Sequence, residues 1–127
     1  MQTSLFIFLG SLLAALAVGL GALGAHALKP HLTPQQLETF HTAVQYQMIH
    51  AVGLVLAGLL ILHGPSRLFE FAGWTFLAGM LLFSGCLYAW LATGIRFLVH
   101  LVPVGGVAFI VAWLLLAIGA LGLGKKG

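Results

Sequence analysis

Four long apolar stretches, separated by short polar punctuation, organise this chain. Residues 5–28, 41–62, 71–92 and 97–124 contain no Asp, Glu, Lys or Arg. A helix needs roughly 20 apolar residues to cross the hydrocarbon core of a bilayer, so each stretch can span. The runs are continuous, whereas the strands of a membrane barrel alternate apolar and polar residues over segments of about 10. The pattern predicts an all-α, four-helix transmembrane bundle, with spans at about 5–28, 41–62, 69–92 and 98–123 in one integral membrane domain.

The punctuation agrees with these boundaries. Thr33-Pro34-Gln35-Gln36 is a helix start: Thr33 can cap, Pro34 suits the first helical position and Gln36 can close a capping box. From Thr33 to Leu62 makes roughly 45 Å of helix, longer than a core of about 30 Å. Helix 2 is therefore expected to begin with an interfacial amphipathic segment, Leu37, Phe40 and Val44 forming its apolar stripe and Glu38 facing water. Gly64-Pro65 ends helix 2, Ser66 can cap helix 3 and Thr93-Gly94 ends it. Pro103 leaves two starts open for helix 4: near Leu98 with a kink that frees the carbonyl of Val99, or at Pro103 itself. In helix 1, Ser11, Ala15 and Gly19 recur every four residues and Gly21 is followed by Ala25, a pattern that suits close helix packing in lipid. Gly19, Gly21 and Gly24 also spell G-x-G-x-x-G. No strand precedes them, as a dinucleotide site requires.

Composition narrows the class. Apolar residues make up 61% of the 127 residues and charged residues 6%, against about 25% charged in soluble domains. Mean hydropathy is +1.14. The net charge of +3 rests on too few residues to form a basic patch with interleaved aromatics, which argues against nucleic acid as a partner. The lipid bilayer is the expected surrounding, with a second copy or other membrane proteins as candidate partners. Ala25-His26-Ala27 looks like a signal-peptide cleavage site, but no Lys or Arg precedes it, so a retained helix is the expectation. Arg67, Lys125 and Lys126 lie on one side of the four spans, Lys29 and Arg96 on the other. The positive-inside rule then puts both termini in the cytoplasm.

The polar residues inside the spans carry the only hint of chemistry. His26, His31, His41, His50 and His100 are expected toward the first-loop side, and His63 on the other. Helix 2 holds the densest run, His41-Thr42-Ala43-Val44-Gln45-Tyr46-Gln47, followed by His50. His41 and Gln45 share one face, and Thr42, Tyr46 and His50 another. His50 falls near the bilayer centre, where a polar side chain is expensive in lipid and is expected to face the bundle interior. The candidate network is His26, His41, Gln45, Tyr46, Gln47, His50, Ser84, Tyr88, Arg96 and His100.

Three readings compete for it. The first is an interhelical hydrogen-bond network that fixes which helices pair. The second is a polar cavity for an ion, proton or small ligand. The third is a metal site drawing on His26, His41, His50, His100 and Cys86, for which no HxxxH or CxxC pair exists within one helix. Cys86 is the only cysteine, which excludes an intrachain disulfide and suits a buried packing residue. Trp90 suits an interfacial belt, and Trp113 packing. Glu38 and Glu70 lie on opposite sides, so a two-carboxylate hydrolase is excluded, and no nucleophile–base–acid set is readable.

At these residues the chain resembles a known family. Gly24-Ala25-His26-Ala27-Leu28, Phe40 to Ala51, Phe83-Ser84-Gly85-Cys86-Leu87-Tyr88, Thr93-Gly94-Ile95-Arg96 and Pro103-Val104-Gly105-Gly106 resemble signatures of the YgdD-like, or transmembrane protein 256, group of small hydrophobic membrane proteins. The resemblance implies a four-span protein of the bacterial inner membrane. It brings no biochemical activity or cofactor. The chain departs from the family pattern at Cys86, where Ser is expected, and at Val102, where Thr is expected; the first argues against a required thiol.

The reading that emerges is a non-enzymatic integral membrane protein whose polar core either scaffolds the bundle or holds a small ligand. The alternatives are a small transporter or channel subunit, which would call for an oligomer, and a membrane enzyme using bound metal or quinone.

Overall fold

A computed structural model describes residues 2–126. Among them there is no strand. Four helices are long and apolar enough to cross a membrane: α1 (Gln2–Leu28), α2 (Pro34–His63), α3 (Arg67–Thr93) and α4, which runs Phe97–Ala120 before a short 3-10 turn at Leu123–Lys126.

Local chemistry sets the ends. Thr33 Oγ1 accepts from the Gln36 backbone N–H at 3.1 Å while the Gln36 side chain accepts from Thr33 N–H at 3.0 Å. This capping box satisfies two N-terminal donors reciprocally, with Pro34 in the first turn. Ser66 caps α3 through Leu68 N–H at 3.2 Å. Gly94 closes α3 in the left-handed region at φ 73, a conformation that favours glycine. Pro103 lies inside α4, which begins at Phe97. Of the two starts, the chain takes the earlier one, and the carbonyl of Val99 has no proline N–H to accept.

α2 and α3 pair at the centre, α1 packs on α2, and α4 packs on α3. The backbones of α2 and α4 come close at few points, and the two helices meet through aromatic side chains. The apolar core fills the half of the bundle nearest the second loop. Phe6 of α1, Leu54 of α2 and Phe69 and Phe76 of α3 are fully buried there, joined by Phe109 and Leu116 of α4. Outward residues such as Phe8, Leu12, Leu16, Ile110 and Leu114 are apolar and exposed, as lipid contact requires.

Helix 1 corrects one expectation. Ser11, Ala15 and Gly19 all face outward, and nothing lies within 4 Å of a Cβ built on Gly19. The row that meets α2 is instead Gly10, Ala17 and Gly24, all buried. A Cβ on Gly10 would stand 2.8 Å from the carbonyl oxygen of Ala51. Small residues therefore do bring backbones together, but on the neighbouring face and at a spacing of seven.

Candidate functional site

The polar residues gather in the other half of the bundle, around α2. Among the described residues three polar side chains are buried: Gln47 (5% exposed), His50 (5%) and Ser84 (1%). Each is placed by a local feature of its helix. Gln47 and His50 follow Phe40 and Ala43 along the inward face of α2 at helical spacing, and all four are buried. Ser84 sits in a π-helical turn, Leu81–Gly85, that interrupts α3. One extra residue in that turn rotates the face of the helix, and the Ser84 hydroxyl donates to the Ala43 carbonyl of α2 at 2.7 Å.

Gln47 joins three helices. Its amide Nε2 donates to the Leu13 carbonyl of α1 at 2.8 Å, and its Oε1 accepts from the Tyr88 hydroxyl of α3 at 2.7 Å. Tyr88 in turn lies 5.7 Å from Phe40, centroid to centroid. In lipid an unmet polar group costs several kcal/mol, and here both ends of the amide and both hydroxyls are engaged.

His50 is different. Its Nδ1 lies 2.6 Å from the Tyr46 carbonyl one turn earlier. A carbonyl only accepts, so Nδ1 carries the proton and Nε2 of the neutral ring presents a lone pair. Among the described residues no group bonds Nε2, and it is not sealed inside the protein. The ring lies flat on Phe109, with centroids 3.5 Å apart and planes at 9°. Tyr46 stacks on Phe83 at 4.4 Å and 24°.

These residues border a groove of about 440 Å³ where the backbones of α2 and α4 stand apart, lined by Tyr46, His50, Phe83, Gly106, Phe109 and Trp113. That lies within the roughly 300–1,000 Å³ of small-molecule sites. Beside it α4 approaches α3 closely: a Cβ on Gly105 would stand 2.5 Å from the Phe83 backbone nitrogen.

The remaining candidates lie elsewhere. His26, on a π-helical turn ending α1, is exposed, as are His31, His41, Gln45 and His63. Arg96 and His100 are exposed beside Trp90 and Val99 in a separate hollow of about 290 Å³. Tyr46 is 39% exposed and Cys86 is buried without a disulfide. The structure thus brings Gln47, Tyr88 and Ser84 into the helix contacts, and His50 and Tyr46 to the groove. It does not bring the histidines together. Among the described residues no three His, Cys, Asp or Glu side chains are placed to hold a metal ion.

Sequence reasoning missed the aromatic walls. Phe109 and Trp113 are four apart on α4, as Tyr46 and His50 are on α2. Matching these two aromatic i, i+4 pairs was the available signal.

Comparison with known proteins agrees with the membrane architecture. Residues 20–106 match a family described as a protein of unknown function (DUF423). The UPF0382 membrane protein YwdK of Bacillus subtilis is 45% identical over 117 residues, covering 91% of this chain and 94% of that protein. UPF0382 membrane proteins of Staphylococcus saprophyticus and Staphylococcus epidermidis are 44% and 42% identical, each over at least 90% of this chain and 94% of theirs. No solved structure matches. The chain is an integral membrane protein of the DUF423 family, whose biochemical activity is uncharacterised.

Proposed function

We propose that this protein is a non-enzymatic membrane bundle that holds a small, membrane-borne ligand in the groove beside His50, its other core polar groups acting as helix locks. One observation carries this reading. Of the three buried polar residues, Gln47 and Ser84 spend their groups on neighbouring helices, while His50 keeps a free acceptor at a groove. Among the described residues Gln2 Oε1 also lacks a partner, but it is closed off and does not line the His50 groove.

A transport reading needs a continuous polar route and an oligomer to enclose it. His26, His41 and His100 are exposed, while Gln47 and Tyr88 spend their polar groups on neighbouring helices, which favours the binding reading. A metal- or quinone-dependent enzyme would need a reacting group beside the groove, and His50 supplies only an acceptor. Within its family we assign the chain to the YgdD-like, or transmembrane protein 256, group on the motifs quoted above. We place it in the bacterial inner membrane with both termini cytoplasmic, on the distribution of Arg67, Lys125 and Lys126 against Lys29 and Arg96.

The test is native mass spectrometry of the protein released directly from its own membranes. A reproducible adduct on the wild type that is lost in His50→Phe supports the reading. A bare wild-type protein, or an adduct indifferent to His50, overturns it.

A further inference from the structure

Resting on that reading, we infer that the ligand of the His50 groove is a neutral phenol or quinol carrying an apolar tail. Four features of the groove define this class.

The first is depth. His50 stands roughly 24 Å along α2 from Pro34 and 20 Å from His63, at the middle of a 30-residue helix. A head that reaches this level from the lipid is uncharged and carries few polar atoms, because charges at the bilayer centre are costly. Phosphate-bearing heads stay at the interface.

The second is the sense of the hydrogen bond. With Nδ1 donating to the Tyr46 carbonyl, Nε2 can only accept. The ligand must donate, so a ketone, ether or ester oxygen does not satisfy the site.

The third is the partner beside it. Tyr46 borders the same groove, its ring 5.8 Å from that of His50 and tilted by 17°, and among the described residues its hydroxyl has no hydrogen-bond partner. A hydroxyl both donates and accepts, so a phenol head suits a wall that offers the Nε2 acceptor and the Tyr46 O–H donor.

The fourth is shape. Tyr46, Phe83, His50 and Phe109 form a pile of rings whose stacked pairs lie within 26° of parallel; His50 and Phe109 bury their faces on each other, and Tyr46 and Phe83 are the rings left partly exposed. A flat ring stacks on such a wall with a gain beyond its buried area. An alkyl chain gains the area alone.

The probes are decylhydroquinone and its dimethyl ether, which share ring and tail and differ in the hydroxyl protons. Binding is measured to the whole protein in phosphatidylcholine nanodiscs, with empty discs subtracting partition into lipid. The hydroquinone is expected to bind about tenfold more tightly than the ether, the worth of one good hydrogen bond. His50→Phe, which keeps a ring against Phe109, is expected to erase that preference, and Tyr46→Phe to reduce it. Equal binding of the two probes to the wild type overturns the inference without recourse to any variant. So does a preference that survives His50→Phe. A His50-dependent adduct from native membranes that lacks an aromatic hydroxyl overturns the ligand class and leaves the binding reading standing. Absence of both adduct and probe binding overturns the two together.

Discussion

Replacing Gln47 by Leu removes the amide that joins α1, α2 and α3 while keeping a side chain of similar bulk. Two hydrogen bonds are lost: Nε2 to the Leu13 carbonyl at 2.8 Å and the Tyr88 hydroxyl to Oε1 at 2.7 Å. Interhelical hydrogen bonds in membranes average about 0.6 kcal/mol and reach about 1.7. The expected loss is therefore about 1 to 3 kcal/mol, most of it from polar groups left without partners. Tyr88→Phe removes one bond and is expected to cost about 0.6 to 1.7 kcal/mol. Because the two side chains share that bond, the double variant should fall short of the sum by the same amount. Reversible unfolding in mixed micelles, driven by SDS and followed by tryptophan fluorescence, gives all the values of the cycle. Additivity within about 0.3 kcal/mol, the behaviour of independent sites, would refute the claim that Gln47 and Tyr88 form a helix lock.

Gly105→Ala forces a Cβ against the Phe83 backbone and is expected to cost about 1 to 3 kcal/mol in the same assay. Gly19→Ala meets nothing within 4 Å and should be neutral, or stabilising by up to about 1 kcal/mol. Ser84→Ala loses the bond to the Ala43 carbonyl and is expected to lower stability by about 0.6 to 1.7 kcal/mol; an unchanged midpoint would mean that the π-helical turn holds itself. Ala in place of His26, His41 or His100, all exposed, should each leave stability within about 0.5 kcal/mol, and a larger loss would place that histidine in the network after all.

The helices were legible because lipid imposes a blunt rule: about 20 apolar residues must run together, and Thr33, Gly64 and Gly94 interrupt them with recognisable caps. The crowding of polar residues toward one end of the bundle was legible too, since His50, Gln47, Ser84 and Tyr88 sit at fixed heights along their helices. Rotation about each helix axis was not legible. His41 and Gln45 share a face of α2, and that face is exposed. The buried face carries Phe40, Ala43, Gln47 and His50. An apolar span reads alike on every side, so periodicity gives little direction where lipid and core are both greasy. The same ambiguity hid the packed row of α1, where Gly10, Ala17 and Gly24 compete with Ser11, Ala15 and Gly19. The π-helical turn at Leu81–Gly85 compounds it, shifting the register of the rest of α3.

The free acceptor on His50 is the claim on which the functional account stands. ¹⁵N NMR of histidine-labelled protein in lipid bilayers, with the His50 signals assigned by their absence from a His50→Phe sample, reads the protonation of each ring nitrogen directly. The account predicts a neutral ring with a protonated Nδ1 and a bare Nε2 whose signal moves when decylhydroquinone is added and stays put with the dimethyl ether. A proton on Nε2, or a bare Nε2 indifferent to both compounds, would contradict it.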